Sequence, residues 1–165
     1  MTERPFRILF VCTGNTCRSP LAEAIARREL ERRGREGEVR VGSAGVAATQ
    51  GQPASEGSRI VAQEEGLDLD GHRSRLLTRE LASEADLILA MSGGHVARVL
   101  AVAEDARVSL LGDFARDTPF GGPPVPDPFG APVEVYRETY AALEELVTDS
   151  LDRLPSLLDV GEDRG

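Results

Sequence analysis

The 165-residue chain has no tryptophan, and aromatic residues of any kind make up 4% of it. A broad aromatic-walled slot is therefore poorly provided for. Only two cysteines occur, Cys12 and Cys17. Two thiols so close in one segment make no disulfide scaffold and fall short of the four ligands of a structural zinc site, so reduced thiols are the expected resting state. Positive charge is also scarce: 19 basic against 28 acidic residues leave a net charge of −9. Nucleic acid, which demands a basic surface, is excluded as the expected partner. No apolar run approaches the length of a membrane span, and the N-terminal run is short and interrupted by Arg7, unlike a signal peptide. The expectation is a cytoplasmic protein with no membrane partner. There is no internal repeat and no sign of a second domain. Residues 1–157 read as one domain, expected to be monomeric, followed by a flexible acidic tail over residues 158–165.

What is present is ordinary in bulk, 41% hydrophobic and 28% charged, and unusual in one place. The apolar run Ile8-Leu9-Phe10-Val11 reads as a buried strand that stops abruptly at Cys12-Thr13-Gly14-Asn15-Thr16-Cys17-Arg18-Ser19. Ser19-Pro20 then reads as an N-cap and first helical residue. A strand-to-helix junction of this kind gathers unpaired amides and the positive end of a helix dipole, so an anion belongs in the loop. Gly14 and Asn15 tolerate the left-handed backbone angles that turn amides inward. The field that holds an oxyanion also stabilises a thiolate, so Cys12 is a candidate nucleophile. Arg18 supplies a planar fork able to grip two oxygens of the same tetrahedral group.

Farther along, helical spacing covers Leu21 to Arg33 with Gly34 as C-cap, Ser55 to Glu65, Thr78 to Glu84, Ser92 to Val102 and Val133 to Leu154. Short strands are expected over Glu38–Ser43, Asp86–Met91 and Arg107–Leu111. Strands alternating with helices predict an α/β fold. It should be a single three-layer sandwich, with a twisted four-stranded parallel sheet, helices on both faces and a phosphate loop at the C-terminal end of the first strand. The polar stretch containing His72 should cross that end of the sheet. His95, beside two glycines, reads only as a helix-start residue. The segment from Thr118 to Pro132 holds six of the ten prolines. Asp127, between Pro126 and Pro128, is thereby presented in a stiff setting.

Residues 11–20, VCTGNTCRSP, resemble the signature loop of the low-molecular-weight protein phosphatases, and the likeness extends in order through Ser43-Ala44-Gly45, His72 and Asp127-Pro128. The resemblance implies a phosphorylated protein substrate and a phosphocysteine intermediate on Cys12. Arg18 would clamp the phosphoryl group, and Asp127 would act first as general acid and then as base. Thr13, Gly14, Asn15, Thr16, Cys17, Ser19 and Phe129 would line the substrate site, with Ser19 donating to the Cys12 sulfur. Ser43 and His72 would support the loop through the Asn15 side chain. A reversible Cys12–Cys17 disulfide is implied on the same ground. No metal or other cofactor is needed, because Arg18 and the loop amides neutralise the phosphoryl charge.

Phosphotyrosine-specific members of that family carry bulky aliphatics where this chain has Thr13 and Thr16, and paired aromatics where it has Phe129-Gly130. Thr16 with Asp127-Pro128-Phe129-Gly130 is closer to the bacterial protein arginine phosphatases. The expected substrate is phosphoarginine, with phosphotyrosine second. An arsenate reductase, which relays oxidation through additional cysteines, and a silent phosphate-binding module are the remaining alternatives.

Overall fold

The computed structural model describes residues 4–155 and 158. The acidic tail expected over residues 158–165 falls almost wholly outside that set.

Strand β1 (Phe6–Cys12) is apolar on both sides because both sides are covered: Ile8, Phe10 and Cys12 face one core, Leu9 and Val11 the other. It lies inside the sheet. β2 (Val39–Gly45) pairs with it on one edge and β3 (Leu87–Ala90) on the other, and β4 (Val108–Leu110) lies outside β3. Every pairing is parallel, giving the order β2-β1-β3-β4. The chain therefore leaves β1 toward one edge and later returns to its opposite side. The end of β1 is the point where the strand order reverses, and a parallel sheet opens a crevice there.

Helix α1 (Arg18–Arg32) packs across β1 and β2 and against α6 (Val133–Asp152), which also holds α2 (Glu56–Glu64) and α5 (Leu111–Arg116). Leu21, Ile25 and Leu30 of α1 meet Tyr136, Tyr140, Leu143 and Val147 of α6 in the larger core. The other face carries α3 (Arg79–Glu84) and α4 (Gly93–Val102), with Ala82 and Val99 closing on Leu9, Val11 and Ile88. Three layers and four parallel strands match the expectation from the sequence. So do the caps of α3 and α4, where Thr78 and Ser92 accept from the amides of Leu81 and His95. The arginines of α1 pair with carboxylates, as in Arg27–Glu23, Arg28–Glu144 and Arg32–Glu29.

Two local expectations fail. Ser19 does not cap α1: Cys17 is the N-cap, makes no side-chain cap bond, and helical geometry begins at Arg18. Pro20 is thus the third helical residue, where its missing N–H costs nothing because first-turn amides have no intrahelical acceptor. The Ser19 hydroxyl is engaged in the loop instead. The second failure is α5, which follows directly on β4 and has no counterpart in the sequence reading. Its six residues include Gly112 and are too few to show a periodic pattern. It is held by burial of Leu111 and Phe114.

Gly112 has a structural reason. A Cβ there would lie 2.7 Å from the Pro123 nitrogen, so only glycine lets the proline-rich loop seat on α5. Gly122 N donates to Asp113 Oδ1 at 2.7 Å on the same surface.

Candidate active site at the end of the first strand

The loop after β1 is wired through Asn15. Its backbone is left-handed, φ 57°, while Gly14 is not in that region, so asparagine rather than glycine makes the turn. Asn15 is fully buried, and both amide protons and the amide oxygen are engaged. Nδ2 donates to Ser19 Oγ at 2.8 Å and to Ser43 Oγ at 2.9 Å, and Oδ1 accepts from the Arg75 amide at 3.0 Å. Ser43 in turn donates to Glu23 Oε1 of α1 at 2.7 Å. His72 Nε2 reaches the loop at 2.7 Å, but on the Asn15 main-chain carbonyl and not on its side chain. The His72 contact expected of the side chain is thus a backbone contact; the residue still ties the crossing segment to the loop.

Gly45, at the end of β2, completes the support. A Cβ on it would overlap the Thr13 carbonyl and lie 2.8 Å from the Asn15 nitrogen, so the loop rests directly on strand backbone.

Cys12 Sγ is buried and lies 2.9 Å from Ser19 Oγ. Asn15 occupies one lone pair of that oxygen, and the Ser19 proton is free to be donated to the sulfur when Cys12 is a thiolate. Arg18 is 4% exposed. Its Nη1 donates to the Val125 carbonyl at 2.9 Å, and its Nη2 approaches Thr13 Oγ1 at 3.4 Å and Asp127 Oδ2 at 3.6 Å. Nε is buried without a partner among the described residues. A buried guanidinium N–H left unpaired is costly unless an acceptor arrives, and an oxyanion is the acceptor its geometry suits.

The proline-rich loop is fixed at Val125, whose N–H donates to Met91 O at 2.9 Å while its carbonyl receives Arg18. Two residues on, Asp127 Oδ1 accepts the Phe129 amide at 3.1 Å, leaving Oδ2 toward Arg18. The side chain is about half exposed, so its carboxyl remains open to solvent. Phe129 itself stands 74% exposed beside it. Thr16 is half-buried on the loop.

Cys17 points elsewhere than Cys12. Its thiol donates to Ser55 Oγ at 3.2 Å and lies 3.6 Å from the Tyr136 hydroxyl, under α2 and α6. Burial pushes the Tyr136 hydroxyl above its ordinary value, with the Cys17 hydrogen bond adding to the rise. Both cysteines are free thiols.

Sequence reasoning missed His95. Far from being an incidental helix-start residue, it is buried, with Nε2 2.8 Å from Thr13 Oγ1 and Nδ1 2.9 Å from Ser92 Oγ. Burial, and secondarily the charge of Arg18, push its pKa down to about 4, with Asp127 opposing and Arg98 adding to the fall. The imidazole is therefore neutral at neutral pH. The one available signal was the Ser-x-x-His spacing at a helix start, which puts side chain three against the cap.

A buried thiol, a donor-rich loop, a guanidinium with an unused N–H and a carboxyl from a distant loop define a cysteine-dependent phosphoryl-transfer site on a parallel α/β sheet. Residues 7–157 match the family model described as low molecular weight phosphotyrosine protein phosphatase, and the chain belongs to that family. Among its relatives, a protein-arginine-phosphatase of Geobacillus stearothermophilus is 40% identical over 152 residues, covering 91% of this chain and 97% of that protein. The low molecular weight protein-tyrosine-phosphatase Etp of Escherichia coli (strain K12) is 37% identical over 149 residues, covering 89% and 93%. A solved YwlE arginine phosphatase mutant with a phosphorylated active-site serine superposes with a TM-score of 0.85 at 36% identity, covering 91% of this chain and 96% of that one.

Proposed function

We propose that the chain hydrolyses protein phosphoarginine through a phosphocysteine, with Cys12, Arg18 and Asp127 as the catalytic residues. The Arg18–Asp127 approach at 3.6 Å carries the reading, because it brings a proton donor to the loop that holds the thiol.

The thiolate of Cys12 attacks phosphorus while Arg18 and the loop amides of residues 13–18 take up charge on the three equatorial oxygens. The P–N bond breaks, and the Asp127 carboxyl gives its proton to the departing guanidine nitrogen. The resulting carboxylate then draws a proton from water as the water oxygen attacks phosphorus. The S–P bond breaks, inorganic phosphate leaves, and the Ser19 hydroxyl stabilises the released thiolate. Every charge in this sequence is met by protein groups.

Phosphoarginine is favoured over phosphotyrosine by the wall chemistry. Thr13 and Thr16 are polar and compact, and the single aromatic after Asp127-Pro128, Phe129, is followed by glycine where a second ring would complete a slot. Phosphotyrosine is the second reading, supported by the exposed Phe129 ring and by the kinship with Etp. No helix among the described residues is long and apolar enough to cross a membrane. A phosphorylated protein in the same compartment is the proposed partner, met by the monomer in the cytoplasm.

A side-by-side panel of phosphoarginine and phosphotyrosine peptides tests the reading. Wild type should turn over phosphoarginine with the higher kcat/KM, and Thr16→Ile should shift the ratio toward phosphotyrosine. Absence of phosphate release from the phosphoarginine peptide overturns the substrate assignment; equal ratios before and after Thr16→Ile remove Thr16 as a selector.

A further inference from the structure

The hydrolytic sequence gives His95 no task, although both of its ring nitrogens are bonded and one of them meets the loop that carries Cys12. The charge beside the ring favours one direction for those bonds. Arg18 Nη2 can only donate, so Thr13 Oγ1 accepts from it. The Arg18 charge lies on the Thr13 side of the imidazole, where a lone pair on Nε2 is favoured over a proton. With the ring proton on Nδ1 and donated to Ser92 Oγ, Nε2 would accept the hydroxyl proton of Thr13.

This ordering leaves Thr13 Oγ1 in a defined state. Its proton is turned into the His95 ring and one lone pair faces Arg18. Thr13 is exposed and its Oγ1 has no third partner among the described residues, so the second lone pair is available to a ligand. Asp127 Oδ2 approaches the same Arg18 nitrogen as Thr13 Oγ1 does, at 3.6 Å against 3.4 Å. Two oxygens thus converge on one place, one able to give a proton and the other able only to accept.

We propose that His95 is a specificity-positioning residue, which fixes the Thr13 hydroxyl as an acceptor toward the leaving group and so favours a phosphoguanidine over an aryl phosphate. A guanidine carries N–H groups next to the scissile bond and can donate to Thr13 Oγ1. An aryl oxygen carries only lone pairs there and meets another lone pair, which disfavours it. Selection of this kind works through hydrogen-bond polarity and is separate from the size and polarity of the wall at Thr16. It rests on the phosphoarginine reading above.

The test measures kcat/KM for phosphoarginine and phosphotyrosine peptides in wild type, His95→Phe, His95→Gln, Thr13→Val and the His95→Phe/Thr13→Val pair, with melting temperatures recorded for each. His95→Phe keeps the ring's bulk and removes the acceptor, and should lower the phosphoarginine-to-phosphotyrosine ratio by about tenfold, the worth of one such bond. Thr13→Val should lower it similarly, and the pair should add little to either change alone. His95→Gln, which can offer Oε1 to the Thr13 proton, should recover most of the ratio. Equal losses for both substrates in His95→Phe, with the ratio unmoved in Thr13→Val, overturn the proposal while leaving the phosphoarginine reading intact. A wild type that does not hydrolyse phosphoarginine overturns both.

Discussion

Asn15 Nδ2 donates to Ser19 Oγ at 2.8 Å, and this bond holds the serine hydroxyl beside the nucleophile. With one oxygen lone pair occupied, the hydroxyl is free to serve the Cys12 sulfur 2.9 Å away. Ser19→Ala should therefore slow release of the thiolate more than its formation. The expected result is a fall of about tenfold in kcat and a larger burst of leaving group before steady state. Stopped-flow measurement with an aryl phosphate separates the two steps.

Asn15 itself holds Ser19, Ser43 and the Arg75 amide while sitting at φ 57°. Asn15→Ala strands these buried groups and adds left-handed strain, at a combined cost of about 2–4 kcal/mol. Asn15→Gly removes the bonds without the strain and should lose about 1 kcal/mol less. Urea denaturation of the two variants resolves that difference.

Asp127→Asn keeps the Phe129 amide bond through Oδ1 and removes the transferable proton. The expected loss in kcat is about 10²–10³ for a phosphopeptide and markedly smaller for an aryl phosphate whose leaving group needs no proton. Equal losses for both substrates would assign Asp127 to positioning Arg18.

At Gly45 a methyl group would overlap the Thr13 carbonyl and crowd the Asn15 nitrogen at 2.8 Å. Gly45→Ala should destabilise the protein by about 1–3 kcal/mol and weaken binding of inorganic phosphate, read by competitive inhibition. An unchanged inhibition constant would mean that the loop does not depend on this contact.

The neutral state of His95 makes stability depend on pH. Its ordinary value is 6.5 and its folded value about 4, so between these the unfolded chain binds the proton and the folded one does not. Stability contributed by His95 is full above about 6.5, falls as pH drops toward 4, and changes no further below that. His95→Gln should flatten this limb of the urea midpoint plotted against pH; an identical slope in both proteins would show that His95 is not the group responsible.

Much of the site was legible along the chain because it is written locally. The apolar run into Cys12, the Cys12-to-Arg18 spacing, the Thr78 and Ser92 caps and the proline-flanked Asp127 each lie within one turn or one strand of their own context. Covalent spacing and backbone propensity act at that range, so the sequence by itself determined a parallel α/β chain with an anion loop after its first strand. The tertiary structure alone decided the rest. The strand order β2-β1-β3-β4 sets β3 beside β1, so α4, which starts just after β3, brings His95 to Thr13 across 82 positions. Seating of the proline-rich loop on Gly112 lets Val125 clamp Arg18. The start of α1 at Arg18 turns Ser19 inward and Cys17 toward Tyr136. These contacts depend on how whole elements pack, and no periodicity or spacing within a single segment encodes them.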